Sequence, residues 1–205
     1  MLVFHLRGDA ALPAGRWLFF GDSIVQGLPV GALDAPAVNY GIGGDDAVGL
    51  AARLPSYDSV ARAALVVLGV GINDLARRDR NATREAFAAL LATIPAGPRV
   101  VCLGVLPIDE RARRAHKPGR SNAAIGALNA DLRTLCRAAG HVFLEPPAEL
   151  ADADGNLRRA LHVGDGVHPG PAGYASWLAR LGPALEALAS AAPSRPAPSS
   201  RTSDR

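Results

Sequence analysis

The chain of 205 residues is 49% hydrophobic and 20% charged, the balance of an ordinary globular protein with a sizeable core, and its length fits one domain. The formal charge of +3 does not make a nucleic-acid binder. Arg195, Arg201 and Arg205 against Asp204 place +2 of it in the last thirteen residues and leave +1 for the body, and 5 Phe, 3 Tyr and 2 Trp are few for base-stacking platforms.

Residues 1–15 contain Gly8, Pro13 and Gly15 and read as an irregular lead-in. Arg7 and Asp9 interrupt the first apolar residues, so no export signal is expected there. Residues 16–20 form a first strand, with four large apolar side chains in a row, as in a strand buried on both faces. Residues 24–33 are a weak helical segment broken by Pro29 and Gly31, and residues 37–40 a second short strand. The glycine-rich turn Gly41-Ile42-Gly43-Gly44 then opens a helix over residues 46–54, with Asp45 as its expected N-cap.

Residues 64–70, all apolar, are the clearest strand. The spacing of Phe87, Leu90, Leu91 and Ile94 predicts a helix over 83–94. Residues 99–106 are a fourth strand, stopped by Pro107. A polar, basic stretch follows at 109–120, where Arg111, Arg113, Arg114, Lys117 and Arg120 outnumber Asp109 and Glu110. It reads either as a rim of the site or as a solvated surface loop. A long helix is expected from 122 to 139 with Gly140 as its C-cap, then a fifth strand at 141–144.

Residues 146–163 are loop-rich, with a turn at Asp154-Gly155. Pro171 launches a last amphipathic helix to about Ala189. The Pro/Ser/Arg-rich residues 193–205 lack apolar anchors and are expected to be a disordered tail, so the folded domain is 1–192. Strands alternating with helices imply βαβ units around a parallel sheet with right-handed crossovers. The longest apolar run, 63–72, is too short for a bilayer span of about 20 residues, and Cys102 and Cys136 are expected to be buried reduced thiols, with one disulfide the alternative. A cytoplasmic protein without a membrane span is the expectation.

Three of the strand ends carry polar, conformationally unusual turns: Gly21-Asp22-Ser23, Gly41 to Asp45, and Gly71-Ile72-Asn73-Asp74. In a parallel sheet these converge on the edge where ligands sit. A fourth cluster, Asp165 and His168, precedes the last helix. A nucleophile, a base held by a third group, and donors aimed at a developing oxyanion are what acyl transfer requires. Ordinary roles fit the same residues: Ser23 as an N-cap, Gly44 as a helix-entry glycine, Asn73 in an Asx-turn, and Asp165 with His168 in a surface turn. No Gly-Lys phosphate loop, complete dinucleotide fingerprint, Gly-x-Ser-x-Gly elbow or His-Glu-x-x-His pair is present. His162, Asp165 and His168 leave a metal site conceivable.

Gly-Asp-Ser-Ile-x-x-Gly at 21–27, Asn-x-Gly-x-x-Gly at 39–44, Gly-x-Asn-Asp at 71–74 and Asp-x-x-His at 165–168 resemble the four blocks of the SGNH hydrolases, the GDSL esterase/lipase family, in the family's order. The resemblance implies a three-layer α/β/α, flavodoxin-like fold with a parallel sheet of about five strands. It also implies ester hydrolysis with no metal or organic cofactor, acting on a small-molecule ester. Ser23 would be the nucleophile, His168 the base and Asp165 its orienting acid. The backbone N–H groups of Ser23 and Gly44, with the side-chain amide of Asn73, would form the oxyanion hole. Asp22 and Asp74 read as structural, each accepting nearby backbone N–H groups, and His5, His116, His141 and His162 as ordinary packed or solvated histidines. An acyltransferase, deacylase or thioesterase using the same site, or a catalytically silent binding module, are the alternatives.

Overall fold

The structure, a computed structural model, describes residues 1–112 and 115–191. The expected tail and Arg113 and Arg114 of the basic stretch lie outside the described residues. Five parallel strands, β1 (Trp17–Gly21), β2 (Ala37–Gly41), β3 (Leu65–Gly69), β4 (Arg99–Leu103) and β5 (Val142–Leu144), form one sheet in the order β2-β1-β3-β4-β5. Every strand is parallel to its neighbour. All of β1 is buried, and four of the five residues of β3 are. Strands covered on both faces need continuous apolar runs, which explains Trp17 to Phe20 and Leu65 to Leu68.

The helices are α1 (Leu2–Asp9), α2 (Ser23–Gln26), α3 (Ala47–Arg53), α4 (Arg80–Ala92), α5 (Asn122–Ala138) and α6 (Pro171–Ser190). Helices α3, α4 and α5 pack side by side along the direction β3-β4-β5, as right-handed crossovers running the same way require. Tyr174 of α6 donates to Ile24 O of α2 (2.9 Å), and Trp177 of α6 is buried in the core. No helix among the described residues is long and apolar enough to cross a membrane. Cys102 and Cys136 are buried free thiols.

Three expectations need correction. Residues 2–9 are helical rather than an irregular lead-in. The helix is held from outside: Asp9 accepts from the Tyr40 hydroxyl (2.8 Å) and the Ser59 N–H (3.0 Å), and His5 Nδ1 meets the Tyr57 hydroxyl at 3.1 Å. Tertiary contacts override a local sequence with little helical signal of its own. The cap of α3 is Asp46, whose side chain accepts from Gly49 N (2.9 Å), while Asp45 turns to Arg53. Lastly, β4 ends at Leu103, and Val105, Leu106 and Ile108 are buried in an irregular connection.

The strand order reverses at β1, with β2 on one side and β3 on the other. The crevice beyond the carboxyl ends of β1 and β3 is therefore the topological switch point, where open α/β sheets bind ligands. Ser23 follows β1, and Asn73 follows β3 by four residues.

Candidate active site

The nucleophile turn is built from two glycines and an aspartate. Gly21 and Gly69 are partners across β1 and β3, and a Cβ on Gly21 would collide with the Gly69 carbonyl and Val25. Only a glycine lets β1 turn sharply into α2 here. Asp22 then caps α2 by accepting the Ile24 N–H at 2.8 Å, which leaves Ser23 at the first helical position, partly exposed.

The partner of Ser23 comes from 145 residues further along. Ser23 Oγ lies 2.8 Å from His168 Nε2, and His168 Nδ1 lies 2.6 Å from Asp165 Oδ2. The other Asp165 oxygen accepts the backbone N–H groups of Val167 and His168, both at 2.9 Å. Burial alone would push this carboxyl up, but the His168 ring and those two N–H groups outweigh it and hold Asp165 below the ordinary carboxylate range. An ionised Asp165 fixes the imidazole with its proton on Nδ1 and leaves Nε2 free to accept from the serine hydroxyl.

The turn after β2 is closed by the Asp45 N–H donating to Ile42 O (3.1 Å). Gly44 occupies the third position with φ +81°, where glycine is the residue without strain. Gly43 lies beside the nucleophile, for a Cβ on it would be 3.8 Å from Ser23 Cβ. The Gly44 N–H makes no hydrogen bond to another described residue, and Gly44 is exposed. Asn73 reaches this turn from the β3 side: its Nδ2 donates to Asp45 O at 2.8 Å. One amide hydrogen remains, and Asn73 Oδ1 accepts from Arg120 Nη2 at 2.8 Å. Asn73 therefore spans two other segments instead of making the local Asx-turn. Hydrogen bonds join Ser23, His168 and Asp165 in one chain, and Asn73 bonds to the turn that holds Gly44 and lies beside Ser23.

Asp22 and Asp74 hold backbone in place, as expected. Asp74 is wholly buried; its two oxygens accept the Ala47 N–H, both at 3.2 Å, and it pairs with Arg78. Burial lifts Asp22 to about 7 and Asp74 to about 6, against the N–H groups and cations that favour their charged forms. Three residues that sequence reasoning missed brace these turns. Arg53 Nε pairs with Asp45 (2.8 Å) and Arg53 Nη2 lies 3.4 Å from Gly21 O. Arg120 holds Asn73. His162 Nδ1 accepts the N–H groups of Gly164 (3.0 Å) and Gly166 (3.1 Å), while its Nε2 faces Asp109 at 3.3 Å. His162 is thus turned away from Asp165 and His168, and the three do not form a metal cluster; among the described residues no group of His, Cys, Asp or Glu could hold one.

Within the basic stretch Arg111 and residues 116–119 are exposed, while its two ends, Asp109 and Arg120, bond to other segments. Asp109 is buried against His162 and Arg111, and its far end carries Arg120 into the site. An apolar groove of about 860 Å³ lies alongside, between residues 27–34 and α6, walled by Pro29, Leu33, Tyr174 and Leu178. It begins at Pro169 and Gly170, the neighbours of His168, and does not include Ser23 or Asn73.

The GDSL-like lipase/acylhydrolase family matches residues 19–176. Among curated proteins none matches the chain. Several solved structures share its fold. One described as a platelet activating factor from Streptococcus pneumonia is 24% identical, with a TM-score of 0.80 over 91% of this chain and 90% of that one. A GDSL-like lipase from Bacteroides thetaiotaomicron is 23% identical, with a TM-score of 0.70 over 91% and 97%. An aryl esterase from M. smegmatis is 18% identical, with a TM-score of 0.67 over 85% and 100%.

Proposed function

We propose that this chain, which belongs to the GDSL-like lipase/acylhydrolase family, is a serine esterase acting on small carboxylic esters through an acyl-enzyme. The observation that carries the proposal is the relay from Ser23 Oγ to His168 Nε2 (2.8 Å) and from His168 Nδ1 to Asp165 (2.6 Å). Ser23 is a weak nucleophile on its own; His168 removes its proton as Oγ attacks the ester carbonyl. Asp165, held ionised, stabilises the imidazolium that forms. The developing oxyanion is met by the N–H groups of Ser23 and Gly44 and the free amide hydrogen of Asn73. His168 then passes the proton to the leaving alcohol, and water activated by the same ring cleaves the acyl-enzyme. The likeness in fold to an aryl esterase makes aryl esters the substrates to try first.

Ser23→Ala tests the reading directly. Loss of a triad nucleophile costs on the order of 10⁶ in kcat, so the variant should be inert towards 4-nitrophenyl esters while melting like the wild type. Retention of more than a few per cent of wild-type turnover would remove Ser23 from the chemistry. A panel of graded acyl chains, acetylated sugars and acyl thioesters, run with and without an added alcohol acceptor, separates hydrolysis from acyl transfer.

A further inference from the structure

Arg120 is a half-buried cation whose guanidinium makes two bonds, both to the turn after β3. Nε donates to Ile72 O at 2.9 Å and Nη2 to Asn73 Oδ1 at 2.8 Å. On its other side Asn73 donates from Nδ2 to Asp45 O. These two contacts admit one orientation of the amide. A guanidinium has no acceptor and a carbonyl no donor, so a flipped Asn73 would set NH₂ against guanidinium and C=O against C=O. Nδ2 is consequently kept on the side of the Gly43–Gly44 turn, which lies beside Ser23.

We propose that Arg120 is a positioning residue for ester hydrolysis, fixing the Asn73 amide and polarising it so that Nδ2 donates to the oxyanion at full strength. The inference rests on the serine-esterase reading, and specifically on Asn73 as a donor. A charge-assisted bond to Oδ1 withdraws electron density from the amide nitrogen and strengthens what its N–H can donate. The effect grows with the negative charge on the substrate oxygen, so it belongs to the transition state and not to substrate binding. Gly119, whose φ is +79°, packs so closely on Leu75 O that a Cβ would overlap it. That contact seats the end of the basic stretch against the Asn73 turn, so the cation is held there by backbone as well as by its own two bonds.

A double-mutant cycle on the full-length protein tests this. Arg120→Ala should lower kcat for a neutral 4-nitrophenyl ester by about 10- to 100-fold, the range for one lost charge-assisted hydrogen bond, with KM changing less than about twofold. In an Asn73→Ala background the same change should cost less than about twofold, because Arg120 acts through Asn73. Added guanidinium should recover part of the lost kcat in Arg120→Ala and none in the double variant. Arg120→Gln, which keeps one donor and loses the charge, should fall between wild type and Arg120→Ala, and serves if the alanine variant does not fold. Equal losses in both backgrounds, or a KM effect with kcat intact, would overturn the proposal and make Arg120 an anchor of its own loop or a substrate contact. The Asn73 side-chain amide resonance provides a reading without turnover. If it shifts and broadens on Arg120→Ala while kcat holds, the oxyanion role of Asn73 fails; if it does not move, the clamp itself fails.

Discussion

Asp22→Asn should make the protein more stable, and by an amount that depends on pH. The Asp22 carboxyl is buried beside the nucleophile, and that burial raises it from 3.8 to about 7, against the N–H groups of Ile24 and Val25 and the attraction of His168. The folded chain therefore holds a proton here that the unfolded chain releases near pH 4. Between pH 4 and 7 the native state binds more protons than the unfolded state, so stability falls as pH rises through that window and levels off above it. A difference of about three pKa units at about 1.4 kcal/mol each gives about 4 kcal/mol lost by pH 8. Asparagine does not titrate and remains a good N-cap for α2, with its side-chain oxygen still able to accept the Ile24 N–H. The two proteins should thus unfold alike in urea at pH 4, and Asp22→Asn should be ahead by up to about 4 kcal/mol at pH 8. Other carboxyls, Asp74 among them, titrate in both proteins and drop out of the difference. A gap that stays flat with pH, or an asparagine variant less stable at pH 8, would show that the Ile24 and Val25 N–H groups compensate the buried charge and would refute the reasoning.

His162→Phe should lower both stability and kcat, because it leaves the N–H groups of Gly164 and Gly166 without their acceptor in the loop that carries Asp165. Unsatisfied donors cost about 1–3 kcal/mol each; a Tm equal to wild type would show that water or a loop shift replaces the ring. Arg53→Leu should destabilise by about 3–5 kcal/mol, the range for orphaning a buried charge. The penalty should grow above pH 4, where Asp45 would otherwise ionise: burial raises this carboxyl and Arg53 is what brings it down. Equal losses at pH 4 and pH 8 would show that Arg53 contributes through its stacking on Phe20 and Tyr57 and not through its pairing with Asp45.

Those three variants probe contacts of different legibility. The sheet was readable because its physics is local: a strand buried on both faces must be an apolar run, and β1 and β3 are such runs. Alternation with helices then implied parallel pairing. The helix α1 was not readable, since Leu2 to Asp9 becomes helical through His5 and Asp9 bonding to Tyr57, Tyr40 and Ser59, partners 31 to 52 residues away. The cap of α3 failed for a related reason. Asp45 and Asp46 are adjacent and equally suited to capping; Arg53 takes Asp45, while Arg77 and Arg78 hold Asp46 by Oδ2 and leave its Oδ1 on the Gly49 N–H.

The same division runs through the site. Groups proposed to react must be chemically distinctive and sit at strand ends, so Ser23, Asn73, Asp165 and His168 stand out in the sequence as residue types at telling positions. Groups that position them need only supply a donor or an acceptor from whatever segment passes by. Arg120 and Asp109 are two such groups, at opposite ends of the basic stretch in the connection between β4 and α5. Arg120 holds Asn73, and Asp109 meets His162, which accepts two N–H groups of the loop bearing Asp165. One connection therefore braces the turn that would bind the oxyanion and the loop that carries the base. Polar composition alone makes such a segment look like solvated surface, because composition cannot distinguish an arginine facing water from one bonded to an amide 47 residues away. What marks it in the structure is satisfaction: among the described residues no buried side-chain nitrogen or oxygen lacks a partner, so the buried polar ends of this stretch are bonded to other groups rather than to water.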